Sequence, residues 1–155
     1  MIERYSRKEL KDIWSDYNRY SIWLEIEVAA AEAMEKLKII PRGVSKAVKK
    51  KGKINVKRIL QIEEKVKHDI IAFLTSITER VGPLGKYLHK GMTSSDVLDT
   101  CFNLQLKQSG EILLKDIDQL LVSIKRQALR HKFTLCIGRS HGIHAEPVSY
   151  THLRA

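Results

Sequence analysis

Apolar residues recur at every third or fourth position through most of the chain, which is the spacing of one buried face of a helix. The clearest stripe runs from Tyr20 to Leu37 and is followed by Pro41, so it predicts a long helix, which Asp16 is expected to cap. A second stripe, from Val97 to Leu129, predicts the longest helix of the chain.

Turn and capping residues divide the rest of the chain into shorter elements. The predicted elements are a helix opening near Arg7 with Ser6 and Glu9 as its capping box, a helix over 44–50 ended by Gly52, a helix capped by Asn55, a helix from His68 to Arg80 ended by Gly82 and Pro83, and a loop over 85–92. Ser94 or Ser95 is predicted to cap the longest helix, which Gly110 interrupts. A short extended piece at 134–137 and a loop at 138–147 complete the prediction.

Composition agrees with a helical protein. The 155 residues suffice for one domain, or for one domain and the start of a second. Hydrophobic residues make up 43% of the chain and only 8 Gly and 3 Pro interrupt it, which favours helices over a sheet sandwich. Cys101 and Cys136 lie among apolar residues, as small core residues do, and form no disulfide framework. With no apolar signal region at the start and no stretch of membrane-span length, we expect a cytoplasmic, soluble protein.

The net charge of +10 is concentrated in one segment. Residues 46–67 contain nine Lys or Arg against two Glu, and therefore carry +7 of the total. Such a patch attracts polyanions, but a solvated helix face has the same composition. The charge alone leaves both interpretations open.

Polar residues of the types that take part in catalysis and binding fall in four clusters, at 4–6, 67–69, 89–96 and 139–146. Each cluster lies at a predicted helix start or in a loop. Helix starts favour anionic groups, and loops on a rigid scaffold often carry function.

The richest cluster has two histidines, suited to proton transfer near neutral pH. His141 and His144 also allow a metal site, which the absence of Cys and of an HExxH helix disfavours. The structural alternative is a hydrogen-bonded turn that needs Gly142 for its geometry.

Together, five segments resemble the adenylosuccinate lyase family of the fumarase/aspartase superfamily. They are residues 2–6, 22–27, 67–69, 89–96 and 138–147. The Thr-Ser-x-Asp and His-Gly motifs resemble superfamily signatures, whereas Arg-Tyr-Ser and Lys-His-Asp point to adenylosuccinate. The resemblance covers nearly the whole chain.

The resemblance implies an all-α fold with an N-terminal helical domain at 1–92 and the start of a long central helix bundle at 93–147. Residues 148–155 do not fit the family, and we hypothesise that this tail is foreign. Family members are homotetramers in which each active site draws residues from three subunits. They use no metal or organic cofactor, and neither nucleic acid nor a membrane is an expected partner.

The implied reaction is release of fumarate from a small succinyl-nucleotide. Family members convert adenylosuccinate to AMP, and act likewise on the succinyl-carboxamide intermediate of purine biosynthesis. The chain resembles the N-terminal third of such a carbon–nitrogen lyase, so alone it is expected to be inactive.

Roles carry over from the family residue by residue. Arg4 and Tyr5 resemble contacts to the nucleotide, Lys67, His68 and Asp69 line the substrate, Thr93 and Ser94 bind the succinyl carboxylates, and His89 resembles a phosphate-side residue. His141 matches the catalytic acid that protonates the departing nitrogen, and His68 a supporting catalytic histidine.

β-Elimination also needs a base for the carbon-bound proton. The family's base resembles a Ser in a downstream Ser-Ser-x-Met-Pro-x-Lys-x-Asn signature, which this chain does not contain.

Two alternatives remain. Another lyase of the superfamily, such as argininosuccinate lyase or a cycloisomerase, shares the His-Gly and Thr-Ser signatures. A basic helical nucleic-acid-binding module would use residues 46–67, although aromatics are not interleaved with the basic residues there and no recognised binding motif is present.

Overall fold

The computed structural model describes residues 3–148, which form six α-helices, two 3₁₀ turns and one β-hairpin. The helices are α1 (Lys8–Ile13), α2 (Asp16–Lys36), α3 (Val44–Lys51), α4 (Val56–Val66), α5 (Asp69–Val81) and α6 (Ser94–His131). The 3₁₀ turns are Glu3–Tyr5 and Pro83–Tyr87, and the strands are β1 (Cys136–Ser140) and β2 (Ile143–Val148). The all-α class predicted from the sequence is confirmed.

The chain divides into two compact units, Met1–Ser109 and Gly110–Ala155. The division falls within α6, so the first unit contains α1 to α5 and the start of α6, and the second contains the rest of α6 and the hairpin. The domain boundary expected after residue 92 stays a prediction, as does the foreign origin of 148–155. Of that tail, residues 149–155 lie outside the described part of the chain.

Aromatic rings of α2 and α5 form the centre of the first unit. Tyr20, Trp23 and Phe73 are at most 1% exposed, and their ring centroids lie 5.1 to 6.1 Å apart. Such pairs stabilise a core beyond the area they bury. Other buried apolar residues packed in this core are Ile22, Val28, Ala31, Ile40, Val44, Val48, Ile59, Ile62, Ile70, Ala72, Ile77, Val81, Leu88, Val97 and Cys101.

Capping was predicted correctly at Asn55, whose side chain accepts a hydrogen bond from the Arg58 N–H at 3.1 Å. At α2 the prediction was wrong by one residue, because Ser15 rather than Asp16 is the cap and accepts from the Asn18 N–H.

Two further capping predictions were wrong. At α1 the N-cap is Arg7, one residue after the predicted Ser6, and the Arg7 side chain makes no cap bond. At α6 the predicted caps, Ser94 and Ser95, both lie inside the helix, which begins at Ser94. Gly110 also lies inside α6.

A glutamate from α2 takes over the capping of α3. The N-cap of α3 is Gly43, which has no side chain and adopts φ +97°. The Glu35 carboxylate instead accepts the Ser45 N–H at 2.7 Å. This bond is the largest cause that lowers the pKa of Glu35 below 4.5.

The prediction of a loop over 138–147 is wrong, because most of this segment forms an antiparallel hairpin. In it Ser140 lies opposite Ile143 and Arg139 lies opposite His144. The hairpin contains Cys136, which is exposed rather than in a core. Cys101 is buried as predicted, and burial raises the pKa of its thiol.

The second unit exposes a row of apolar side chains along α6, as expected of a bundle helix without its partners. They include Leu113, Leu114, Ile117, Leu120, Leu121, Ile124 and Leu129, all more than half exposed.

None of the helices in residues 3–148 is long and apolar enough to cross a membrane.

Substitution of Gly85 by Ala should destabilise the protein. An added Cβ at this buried position would lie 2.7 Å from the Thr78 Cγ2 atom, which requires a shift of the α5 side chain. We expect a loss of about 1–3 kcal/mol, measured by thermal unfolding. Gly110→Ala is the control, because nothing lies within 4 Å of its added Cβ and a helical Gly→Ala change stabilises by about 1 kcal/mol. Equal unfolding temperatures for both variants would contradict the close packing.

The loss of folding stability at acid pH should come in part from Glu35. Because its pKa is lower in the folded state than the ordinary value of 4.5, its stabilisation is present above pH 4.5 and is lost as the pH falls through the lower folded value. Glu35→Gln should therefore flatten the dependence of unfolding free energy on pH in that window. Glu25→Gln, on the same helix, serves as the control, and an unchanged slope for Glu35→Gln would refute the cap.

Candidate functional site

Left-handed backbone conformations coincide with the predicted site residues. In residues 3–148, four residues other than Gly have positive φ, and three of them are Lys67, His89 and His141. The fourth is Lys38. This conformation costs a residue with a side chain about 1–2 kcal/mol relative to the right-handed one. Strained residues of this kind cluster at functional sites, so their coincidence with the predicted residues supports a site.

The Lys67–Asp69 segment is the junction between α4 and α5. Lys67 is the C-cap of α4 with φ +54°, and its N–H donates to the Glu63 carbonyl at 2.8 Å. His68 is the N-cap of α5, and its Nδ1 atom accepts from the Ile71 N–H at 3.5 Å. The Lys67 and His68 side chains are exposed, so this junction presents both at the N-terminal end of a helix.

Asp69 accepts a hydrogen bond from the residue that follows it. Its Oδ1 atom accepts the Ile70 N–H at 2.7 Å and lies 3.5 Å from the Nδ1 atom of His68. The carboxylate therefore lies beside the imidazole ring, and about two fifths of each side chain stays exposed.

His89 is fixed to α2 by a buried carboxylate. Its backbone N–H donates to Glu27 Oε2 at 2.8 Å, and its Nδ1 atom lies 2.6 Å from Glu27 Oε1. The Glu27 side chain is 1% exposed and that of His89 is 19% exposed. The predicted phosphate-side residue is thus partly open to solvent on a rigid support.

Thr93 and Ser94 lie at the start of α6, in the same segment. The Asp96 carboxylate accepts the Thr93 N–H at 2.8 Å, which is one half of a capping box. Within 3–148 the two hydroxyl groups make no hydrogen bond, so donors and acceptors remain for a ligand at the positive end of a 38-residue helix.

Arg4 and Tyr5 lie in the first 3₁₀ turn. The Arg4 Cζ atom is 4.8 Å from the centroid of the Tyr5 ring, and Tyr5 is 74% exposed. An exposed aromatic ring beside a guanidinium is suited to stacking on a base and to contact with an anion.

His141 and Gly142 form the two-residue turn of the hairpin, with φ values of +51° and +79°. Positive φ at both positions is what a type I′ turn requires, so the predicted structural need for Gly142 is confirmed. The His141 side chain is exposed at this turn.

The described contacts do not assemble these residues into one pocket. Arg4–Tyr5, Lys67–Asp69 and His89–Ser94 all belong to the first unit, yet no hydrogen bond or ion pair in the described part of the chain joins any two of these segments. His141 belongs to the second unit. A metal centre finds no support either: among residues 3–148 no group of three His, Cys, Asp or Glu side chains is placed to hold one.

Carboxylates offset part of the basic segment at 46–67. Lys49 pairs with Glu32 at 2.6 Å, and the Arg58 Nε atom donates to Glu79 at 3.0 Å. These pairs favour the solvated-face interpretation over a dedicated polyanion site.

Sequence reasoning missed Glu27. A signal was available, because Trp23, Glu27 and Ala31 follow one another at intervals of four and so share one helix face. A carboxylate on the buried face of a helix needs a partner, and this one has His89.

Lys67→Gly should raise the stability of the protein by about 1 kcal/mol, because Gly adopts the left-handed C-cap without strain. Lys65→Gly removes the same charge from within α4 and should lower stability by about 1 kcal/mol. Chemical denaturation measures both. If Lys67→Gly destabilised the protein as much as Lys65→Gly, the strain at Lys67 would not exist.

Known proteins provide an independent comparison. The model of a family described as lyase matches residues 3–155. The chain is 46% identical over 150 residues to an adenylosuccinate lyase of Synechocystis sp., covering 97% of this chain and 35% of the relative. It is 46% identical over 153 residues to an adenylosuccinate lyase of Aquifex aeolicus, with the same coverage.

The fold of the chain is also similar to that of a solved structure. The crystal structure of fumarate lyase from Mesorhizobium sp. BNC1 has a TM-score of 0.84 to this chain at 27% identity, covering 94% of this chain and 36% of that one. The chain thus spans about a third of the length of the proteins it matches. The family match over almost every residue means that this chain belongs to the lyase family.

Proposed function

We propose that the protein carrying this chain is an adenylosuccinate lyase, which releases fumarate from adenylosuccinate to give AMP and from the succinyl-carboxamide intermediate of purine biosynthesis. The observation that carries the proposal is the 46% identity to adenylosuccinate lyases over 97% of this chain. The left-handed backbone at Lys67, His89 and His141 supports it from the physical side.

The proposed chemistry divides the work among the four segments. Thr93, Ser94 and the positive end of α6 bind the succinyl carboxylates, where negative charge develops during elimination. Lys67 adds a cation, and His141 protonates the departing nitrogen. His68, whose ring is held by the Ile71 N–H and lies beside Asp69, supports this acid.

Nucleotide recognition falls to the remaining residues. Arg4 and Tyr5 contact the nucleotide through charge and stacking, and His89 faces its phosphate. The base that removes the carbon-bound proton is the downstream Ser outside this chain, so these 155 residues alone are inactive.

The proposed assembly is a cytoplasmic homotetramer whose subunits share active sites. The exposed apolar row on α6 supports burial against other helices of a bundle, because such a surface is unfavourable in water. The ligand is a small molecule, and the pairing of Lys49 and Arg58 with carboxylates speaks against nucleic acid.

A second candidate is a different fumarate-releasing lyase of the same superfamily. The likeness to the Mesorhizobium fumarate lyase favours it at the level of fold, since the scaffold is shared at 27% identity. Arg4–Tyr5 and Lys67–Asp69 are the segments that argue for adenylosuccinate.

Fumarate release tests the choice directly. The full-length protein should release fumarate from adenylosuccinate, followed by absorbance, and should leave argininosuccinate unchanged. Turnover of argininosuccinate without turnover of adenylosuccinate would reject the proposal in favour of the second candidate.

Within that assay, His141→Gln should lower kcat about 10²–10⁴-fold because it removes a general acid. His131→Gln, at the end of α6 and outside the four clusters, is the matched control and should behave as wild type. Equal activity of the two variants would remove His141 from the mechanism.

A further inference from the structure

The most deeply buried charged side chain in residues 3–148 is that of Glu27, at 1% exposure in the middle of α2. Removing a carboxylate from water is costly unless hydrogen bonds replace its hydration. Such a residue is retained where its partners need it, so the identity of those partners is informative.

Both carboxylate oxygens of Glu27 are bonded to one residue. Oε2 accepts the backbone N–H of His89 at 2.8 Å, and Oε1 lies 2.6 Å from the His89 Nδ1 atom. The two bonds span 62 residues of sequence and join α2 to the segment before α6. One bond fixes the main chain and the other fixes the imidazole ring.

This geometry determines which ring nitrogen is available. Because Nδ1 is engaged by the carboxylate, Nε2 is the nitrogen left for a ligand, and the ring is 19% exposed. In the doubly protonated ring, Nε2–H donates to an anion while Glu27 provides the counter-charge behind it. The left-handed φ of +58° at His89 is held by the same bonds.

The geometry points to Glu27 as a positioning residue that aims the Nε2 atom of His89 at the phosphate of the succinyl-nucleotide. This inference rests on the proposed function and extends it to a residue that does not itself touch substrate. The arrangement matches other sites in which a carboxylate orients a ligand-binding histidine.

The competing explanation is that Glu27 only stabilises the junction of α2 with the following loop. Both explanations predict damage when Glu27 is changed, so loss of activity does not separate them. The preference of the enzyme for a substrate that carries the phosphate does separate them, because only a positioning role acts through that phosphate.

The experiment uses the full-length protein and compares kcat/KM for adenylosuccinate with kcat/KM for the same compound lacking the 5′-phosphate. The ratio of the two values does not depend on the concentration of folded enzyme, so partial unfolding does not affect it. Glu27→Gln should lower this ratio about tenfold or more, as loss of a charge-assisted contact does. Glu32→Gln, which loses an exposed pair with Lys49 on the same helix, should keep the wild-type ratio.

A double-variant cycle connects the effect to His89. His89→Gln should lower the ratio as Glu27→Gln does, and the double variant should lower it no further, because both remove the same contact. Additive effects, or an unchanged ratio in Glu27→Gln, would overturn the inference. Equal losses for both substrates would assign Glu27 the structural role alone.

Failure of the proposed function has a different signature. If the wild-type protein does not release fumarate from adenylosuccinate, the proposed function fails before any variant is made. A second measurement, the ratio of Kd values for AMP and adenosine by calorimetry, needs no turnover and decides the question if the dephosphorylated substrate reacts too slowly. A wild-type preference for AMP that Glu27→Gln leaves intact would also overturn the inference.

Discussion

The buried bond pair between Glu27 and His89 is the constraint on which the candidate site depends. A carboxylate at 1% exposure must be satisfied, and here a single histidine satisfies both of its oxygens. The aromatic packing of Tyr20, Trp23 and Phe73 holds α2 in place, and α2 in turn holds the segment that leads to α6. The site segment is therefore fixed by the core and not by its own loop, which is how a rigid scaffold places binding residues.

Backbone strain connects the separate segments of the site. Lys67, His89 and His141 occupy a conformation in which Gly would be more stable, so each residue costs stability where it lies. Lys38 has the same conformation and no proposed role, whereas for the other three residues we propose that the chemistry of a cation and of two imidazole rings offsets this cost. Their positions at a helix junction, before α6 and at a hairpin turn place each ring or cation at the surface or close to it.

Periodicity and turn residues were enough to predict the helices and most of their ends, because a 3.6-residue apolar repeat with Gly or Pro behind it has few alternatives. The choice among neighbouring capping residues was harder to predict. Ser15 rather than Asp16 caps α2, and the Glu35 side chain caps α3 because Gly43 has no side chain. The hairpin was missed because its strands are exposed and carry no alternating pattern. Motifs predicted the site segments and helix spacing placed Glu27 on a buried face, but the pairing of Glu27 with His89 is a contact across 62 residues that no local signal gives.

A structure of the full-length assembly with a bound succinyl-nucleotide tests the central claim most directly, since the proposed site draws residues from several subunits. We predict that the His141 ring of one protomer lies within hydrogen-bonding distance of a ligand that Lys67–Asp69 and Thr93–Ser94 of neighbouring protomers also contact. A structure in which the His141 ring lay remote from both of those segments in every protomer would contradict the account.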